Sequence, residues 1–194
     1  KVFSRLNKMA FYRGFSLGLC LFAGYVSQVF GLQYTTAARS GFITGLAVVV
    51  VPFLSLIILK KNPGLANYLG AFIALLGLSF MTGIGNARIY PGDYLCLLSA
   101  ISFALQIVLL SKYLSQGEDA ILLTLLQMGV VAVGAGLFSL FTNSSYHLNL
   151  PTIGVIVYTG LLATAFSYLV QSYAQTYIPA TRAALIFAME PVFG

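Results

Sequence analysis

Residues 24–39 read GYVSQVFGLQYTTAAR, and residues 167–182 read SYLVQSYAQTYIPATR. Aligned without a gap, the two stretches agree at Tyr25 and Tyr168, Gln28 and Gln171, Tyr34 and Tyr177, Ala37 and Ala180, and Arg39 and Arg182. Matched Tyr, Gln and Arg are harder to obtain by chance than matched Leu or Val. The chain therefore reads as an internal repeat. What such a repeat can build depends on the solvent it folds in.

Composition settles the solvent. Charged residues make up 7% of the chain, hydrophobic residues 59%, and mean hydropathy is +0.94. A soluble domain carries roughly 25% charged residues, so this chain cannot cover a water-facing surface and belongs in a bilayer. Its apolar stretches are each about 20 residues long, enough to cross roughly 30 Å of hydrocarbon. They lie at about 11–32, 39–59, 65–85, 92–112, 120–141 and 152–176, and a seventh starts near 181. The chain starts at Lys1 without a Met and stops at Gly194 inside the seventh stretch, so it reads as a fragment. The basic segment from Lys1 to Arg13 leads into a full-length span, not a signal-peptide cleavage site.

The net charge of +6 is unevenly distributed. Lys1, Arg5, Lys8, Arg13, Lys60, Lys61, Lys112 and Arg182 fall on one side of the expected membrane, and only Arg39 and Arg88 on the other. This positive-inside bias makes the N-terminal segment cytoplasmic and sends the first span outward. Attraction to anionic lipid accounts for the charge, and no nucleic-acid partner is expected.

The two copies of the opening motif stand an odd number of crossings apart, so they enter the membrane from opposite sides. Two such repeats are related by a pseudo-two-fold axis in the membrane plane, the inverted-repeat plan of many secondary transporters. The expected fold is an all-α integral membrane bundle built from two inverted five-helix repeats and truncated at both ends. Residues 1–86 would supply the last three helices of the first repeat. Residues 92–194 would supply the first four of the second, the last one cut short. Beyond the arginines the match slips, and the first copy holds about one extra helical turn before its proline, Pro52 against Pro191.

Four stretches carry a family resemblance: LQYTTAARSGFITGLAVVVVPFLS, YLGAFIALLGLSFMTG, PGDYLCLLSAISFALQIVLLSKY and SYLVQSYAQTYIPATRAALIFAMEPVFG. In this order they resemble the EamA-type permeases of the drug/metabolite transporter superfamily. The resemblance implies ten transmembrane helices with both termini cytoplasmic, of which this chain would hold helices three to nine. The first repeat of that family often carries an acidic residue after its proline helix. Here LKKNPG follows, so no role of that acid transfers.

Polar side chains at membrane depth point to interior faces. Thr164, Tyr168, Gln171 and Gln175 form one helical stripe, and Tyr25 and Gln28 repeat part of it. Tyr25, Gln28, Tyr168, Gln171 and Gln175 are expected to line a central cavity, and the resemblance implies that their helices line the transport path. The alternative is plain interhelical hydrogen bonding. Gln106 is a further candidate, and Gln106 and Gln127 suit packing at least as well.

Glu190 is the one carboxylate well inside a span. Burial raises a carboxyl pKa, so proton or cation coupling is its sharper reading and satisfaction of a neighbouring helix its plainer one. Pro52 and Pro191 read as hinges or kinks. Arg39 and Arg182 read as headgroup anchors or as attractors of anionic substrate. Gly70, Ala74, Gly77, Gly129 and Gly134 read as small packing surfaces, and Tyr90, Tyr94 and Tyr177 as interfacial anchors.

No nucleophile–base pattern or phosphate loop is present, so neither an enzyme nor a cofactor is expected. Two Cys and one His offer no metal site, and a disulfide between Cys20 and Cys96 is not expected. The Asn143-Ser144-Ser145 triplet matches a glycosylation acceptor. The expected function is secondary transport of a small metabolite by alternating access in a bacterial inner (plasma) membrane. The expected partners are that substrate and the lipid bilayer, with a homodimer left open. The rival readings are a lipid or lipid-linked sugar flippase and a non-transporting membrane scaffold.

Overall fold

The computed structural model describes residues 7–82, 89–141 and 149–189. Its helices are α1 (Lys8–Leu32), α2 (Ala37–Leu59), α3 (Leu65–Thr82), α4 (Pro91–Ser115), α5 (Ala120–Phe141), α6 (Leu150–Ala174) and α7 (Ala180–Phe187). Five of them (α1, α2, α4, α5 and α6) are long and apolar enough to cross a membrane. The shorter α3 and α7 fall where the third and seventh apolar stretches were expected. The protein is an all-α, multi-span membrane protein.

Local chemistry sets the helix boundaries. The Asn7 side chain accepts from Ala10 N at 2.7 Å and caps α1. Pro91 opens α4, where its missing N–H costs nothing, and Asp93 reaches back to Tyr90 N at 3.0 Å. Asn149 caps α6 ahead of Pro151. The α4–α5 turn needs a left-handed residue, and Gly117 supplies it at φ +88°.

The helix α4 is the most buried span and forms the axis of the bundle. One apolar cluster joins Val48 and Val51 of α2, Ala104 and Val108 of α4, and Ala180 and Ala184 of α7. A second joins Leu17, Leu110 and Leu123 of α1, α4 and α5. Phe80, Phe141 and Leu150 are 86%, 84% and 83% exposed, an outer surface suited to hydrocarbon and not to water.

The expected small packing surfaces are used in part. Gly77 and Gly129 face open space, whereas Gly134 and Gly70 have close neighbours, Phe22 and Leu185, and Ala74 packs on the first apolar cluster. The tight seam runs along α1, whose buried stripe includes Ala10, Gly14, Leu17, Gly18, Leu21, Gly24, Ser27 and Gly31. A side chain on Gly18 would lie 2.9 Å from Gln127 O of α5, and one on Gly31 2.7 Å from Cys96 Sγ of α4. Small residues here let two helices approach α1 to backbone distance, the usual device where no hydrophobic force drives association.

Two helices depart from α geometry. In α2 the α-helical pattern breaks at Leu46, one turn and a half before the buried Pro52, and Ser55–Leu59 continues as a wider π turn. Pro52 lacks the N–H that would pair with the carbonyl of Val48, one more interruption of the backbone ladder in this helix. In α6, Tyr158–Phe166 is also π-helical. Glu190, Pro191, Arg88, His147 and the Asn143 triplet lie outside the described residues.

Candidate functional site

The repeated tyrosines meet. Tyr25 of α1 donates its hydroxyl to that of Tyr168 of α6 at 3.1 Å, and their rings stand edge to face with centroids 6.5 Å apart. Tyr25 also packs edge-on against Phe103 of α4 at 5.5 Å. Contact between residues at matching positions of two repeats is what a point close to a two-fold axis produces. Removing either hydroxyl breaks one interhelical bond, worth about 0.6 kcal/mol and at most about 1.7 kcal/mol in a bilayer. Tyr25→Phe and Tyr168→Phe should therefore each lower stability slightly. In a double-mutant cycle the pair should show coupling of that size by denaturant titration in detergent. Additive losses would mean that the hydroxyls do not interact.

Behind the tyrosines runs a chain of three buried amides. Gln171 Nε2 donates to Gln106 Oε1 at 3.2 Å, and Gln106 Nε2 donates to Gln127 Oε1 at 3.1 Å. The chain crosses from α6 through α4 to α5, with exposures of 6%, 1% and 0%. Gln175, one turn beyond Gln171, donates to the Ile107 carbonyl at 3.3 Å. Thr124 donates to Ser172 at 2.7 Å one layer away. Gln127 Nε2 and Gln175 Oε1 are buried without a partner among the described residues. One donor and one acceptor thus remain unpaired in a place where each is costly.

Tyr25, Tyr168, Gln171, Gln175 and Gln106 are therefore brought together. Gln28 is half-buried on α1 and has no hydrogen-bond partner among the described residues. Thr164 bonds back to Thr159 O at 2.8 Å inside the π-helical segment and takes no part in the amide chain. Of the six cavity candidates only Gln171 lines the open groove of about 270 Å³ beside α6 and α7, walled by Phe166, Val170, Ala174, Ile178 and Phe187. Sequence reasoning weighed Gln127 and could not place it, because its neighbours on α5 form no polar stripe. It missed Thr124 and Ser172, whose small hydroxyls bear no signal until α5 and α6 are seen side by side.

Arg39 is held by protein partners. Its Nη2 donates to Asp93 Oδ2 at 2.6 Å, and Thr35 donates to Asp93 Oδ1 at 2.7 Å. The guanidinium stands over the Tyr90 ring, 5.1 Å from its centroid, so Tyr90 is more than an interfacial anchor. Arg182 is exposed. Cys96 donates to Ser40 at 3.2 Å.

A single family model, the EamA-like transporter family, matches residues 2–83 and again 90–194. The chain belongs to the EamA-like transporter family. It is 32% identical over 184 residues to an "Uncharacterized transporter" of Archaeoglobus fulgidus, covering 95% of this chain and 59% of that protein. It is 28% identical over 186 residues to the "Uncharacterized transporter YyaM" of Bacillus subtilis, covering 91% of this chain and 61% of that protein. The chain thus spans about three fifths of the length of these relatives. The apolar spans of α1, α2, α4, α5 and α6 agree with membership in a family of membrane transporters. The family's two matched segments adjoin at the α3–α4 connection, between Thr82 and Pro91.

Proposed function

We propose that the protein is a secondary carrier of a small metabolite, working by alternating access between two inverted repeats. The observation that carries this reading is the polar layer in the bundle interior: two motif-equivalent tyrosines in contact, backed by the amide chain Gln171–Gln106–Gln127. A membrane scaffold gains nothing from burying three glutamines and leaving two of their neighbourhood's polar atoms unpaired, since apolar packing would hold the helices at lower cost. A carrier needs hydrogen-bonding groups that a substrate can satisfy in passing.

In this reading Tyr25, Gln28, Tyr168, Gln171, Gln175 and Gln106 form the substrate path. Pro52 and Pro191 let their helices rearrange. Glu190 binds the coupling proton or cation. The last two assignments involving residues 190 and 191 rest on the sequence alone. Counterflow in proteoliposomes holding the complete protein tests the function. Saturable exchange of at least one labelled metabolite from a panel is expected. Exchange no faster than in empty liposomes across the panel, together with scrambling of a fluorescent lipid, would replace the carrier by a flippase.

A further inference from the structure

The bundle carries the same three-part contact at both ends. At one end, Arg39 pairs with Asp93 and stacks over Tyr90 at 5.1 Å. At the other, Arg13 Nη1 pairs with Glu118 Oε1 and its guanidinium stands over Tyr113 at 5.5 Å. Each arginine lies in the first segment matched by the family model, and each carboxylate and tyrosine lies in the second. Both pairs are largely shielded, with side-chain exposures of 16% and 9% at one end and 21% and 12% at the other. They are the ion pairs found among the described residues, and each ties one segment to the other.

Their positions are opposed. The helices α1 and α4 run antiparallel. Arg13 sits near the start of α1 and meets the turn after α4, while Arg39 follows the end of α1 and meets the start of α4. The charge bias places the Arg13 end in the cytoplasm and the Arg39 end outside. The two clasps are backed differently: the Tyr113 ring packs on the Leu17–Leu110–Leu123 cluster. Beneath Arg39, Gly31 and Gly92 meet backbone to backbone. Beside Arg13, Ser16 and Tyr113 share a hydrogen bond at 3.1 Å.

We propose that the two Arg–carboxylate–Tyr clasps are the outer and inner gates of the carrier, opened one at a time. Both are closed in this structure. The proposal rests on the carrier reading above, because only a protein that opens to each side in turn needs a breakable tie at each end. An ion pair suits that task, since water replaces its partners once the gap opens. The guanidinium–ring contact keeps the arginine in place for reclosing.

Hydrogen–deuterium exchange on the complete protein in substrate-free liposomes tests the gates. Arg39→Ala should speed amide exchange severalfold around Thr35 and Tyr90 and slow it around Arg13 and Glu118, because opening outside requires closure inside. Arg13→Ala should produce the reverse. A tie that merely holds the fold would raise exchange at its own end and leave the other unprotected. That result, or no change at all, would overturn the proposal.

If either alanine variant fails to fold, Tyr90→Leu and Tyr113→Leu remove only the ring beneath each guanidinium. They should give the same opposed shifts at lower amplitude, and local loosening alone would again refute the gates. Wild-type counterflow separates the two ideas. Flux without reciprocal exchange leaves a carrier with other gates, whereas absence of flux removes the carrier reading itself.

Discussion

Gly92→Ala is expected to be the most damaging small substitution in the protein. An added methyl would run into the Gly31 carbonyl oxygen and lie 2.8 Å from Tyr34 C and 3.0 Å from Thr35 N. All three obstacles are backbone atoms, which cannot rotate aside as a side chain does. The α1–α2 turn would have to lift from the start of α4, stretching the Arg39–Asp93 pair and the Thr35–Asp93 bond. Overpacking of this kind costs about 1–3 kcal/mol, and the absence of any movable neighbour puts Gly92 at the upper end. Gly129→Ala is the matched control. It lies in α5 with nothing within 4 Å of the added carbon, so it should be neutral or stabilise by up to about 1 kcal/mol through helix propensity. Thermal stability in detergent, read by size-exclusion recovery, should separate the two. Equal melting of both variants would show that the α1–α4 seam is looser than it looks.

Gln106→Leu should combine a large loss of transport with a moderate loss of stability. The change removes both bonds in the middle of the amide chain. Gln127, 0% exposed with its Nε2 already unpartnered among the described residues, would then lose its remaining contact. Stranding buried amides should destabilise by about 1–3 kcal/mol. Replacing all three of Gln106, Gln127 and Gln171 by Leu removes the stranded groups as well, so stability should return close to wild type, as when a buried polar cluster becomes apolar. Under the carrier reading flux should not return, because the amides assigned to the substrate path are gone. Melting temperature and counterflow measured on the single and triple variants give a two-way reading. Recovery of flux in the triple variant would reduce the amide chain to packing.

Much of the architecture was legible before any coordinates. Six hydrophobic stretches and the beginning of a seventh coincide with α1 to α7, because lipid obliges each crossing to satisfy its own backbone and leaves length and apolarity as the only requirements. The repeated Tyr and Gln stood out because polar residues are rare at that depth. The partners of these residues were not legible. Gln171 could be recognised as inward-facing, but its bond to Gln106 depends on the rotation of α6 against α4. That Arg39 pairs with Asp93 could not be read from the sequence, because it needs the start of α4 beside the α1–α2 turn. The glycines that matter, Gly18, Gly31 and Gly92, were passed over in favour of Gly77 and Gly129, which touch nothing.

The amino-acid order alone thus determined that the chain crosses a bilayer repeatedly, which way its charges bias it, and that its two halves share a motif. Those properties follow from one-dimensional quantities: the run length of apolar residues, the side on which Lys and Arg fall, and the spacing of matched side chains. The tertiary structure decided which tyrosine meets which, how three glutamines join into one chain, and that two arginines pair with carboxylates at opposite ends of one helix pair. Each of those depends on helix rotation and crossing depth. In lipid these are set by close van der Waals fit and interhelical hydrogen bonds between residues far apart in the chain, a sum of small terms that no local stretch of sequence contains.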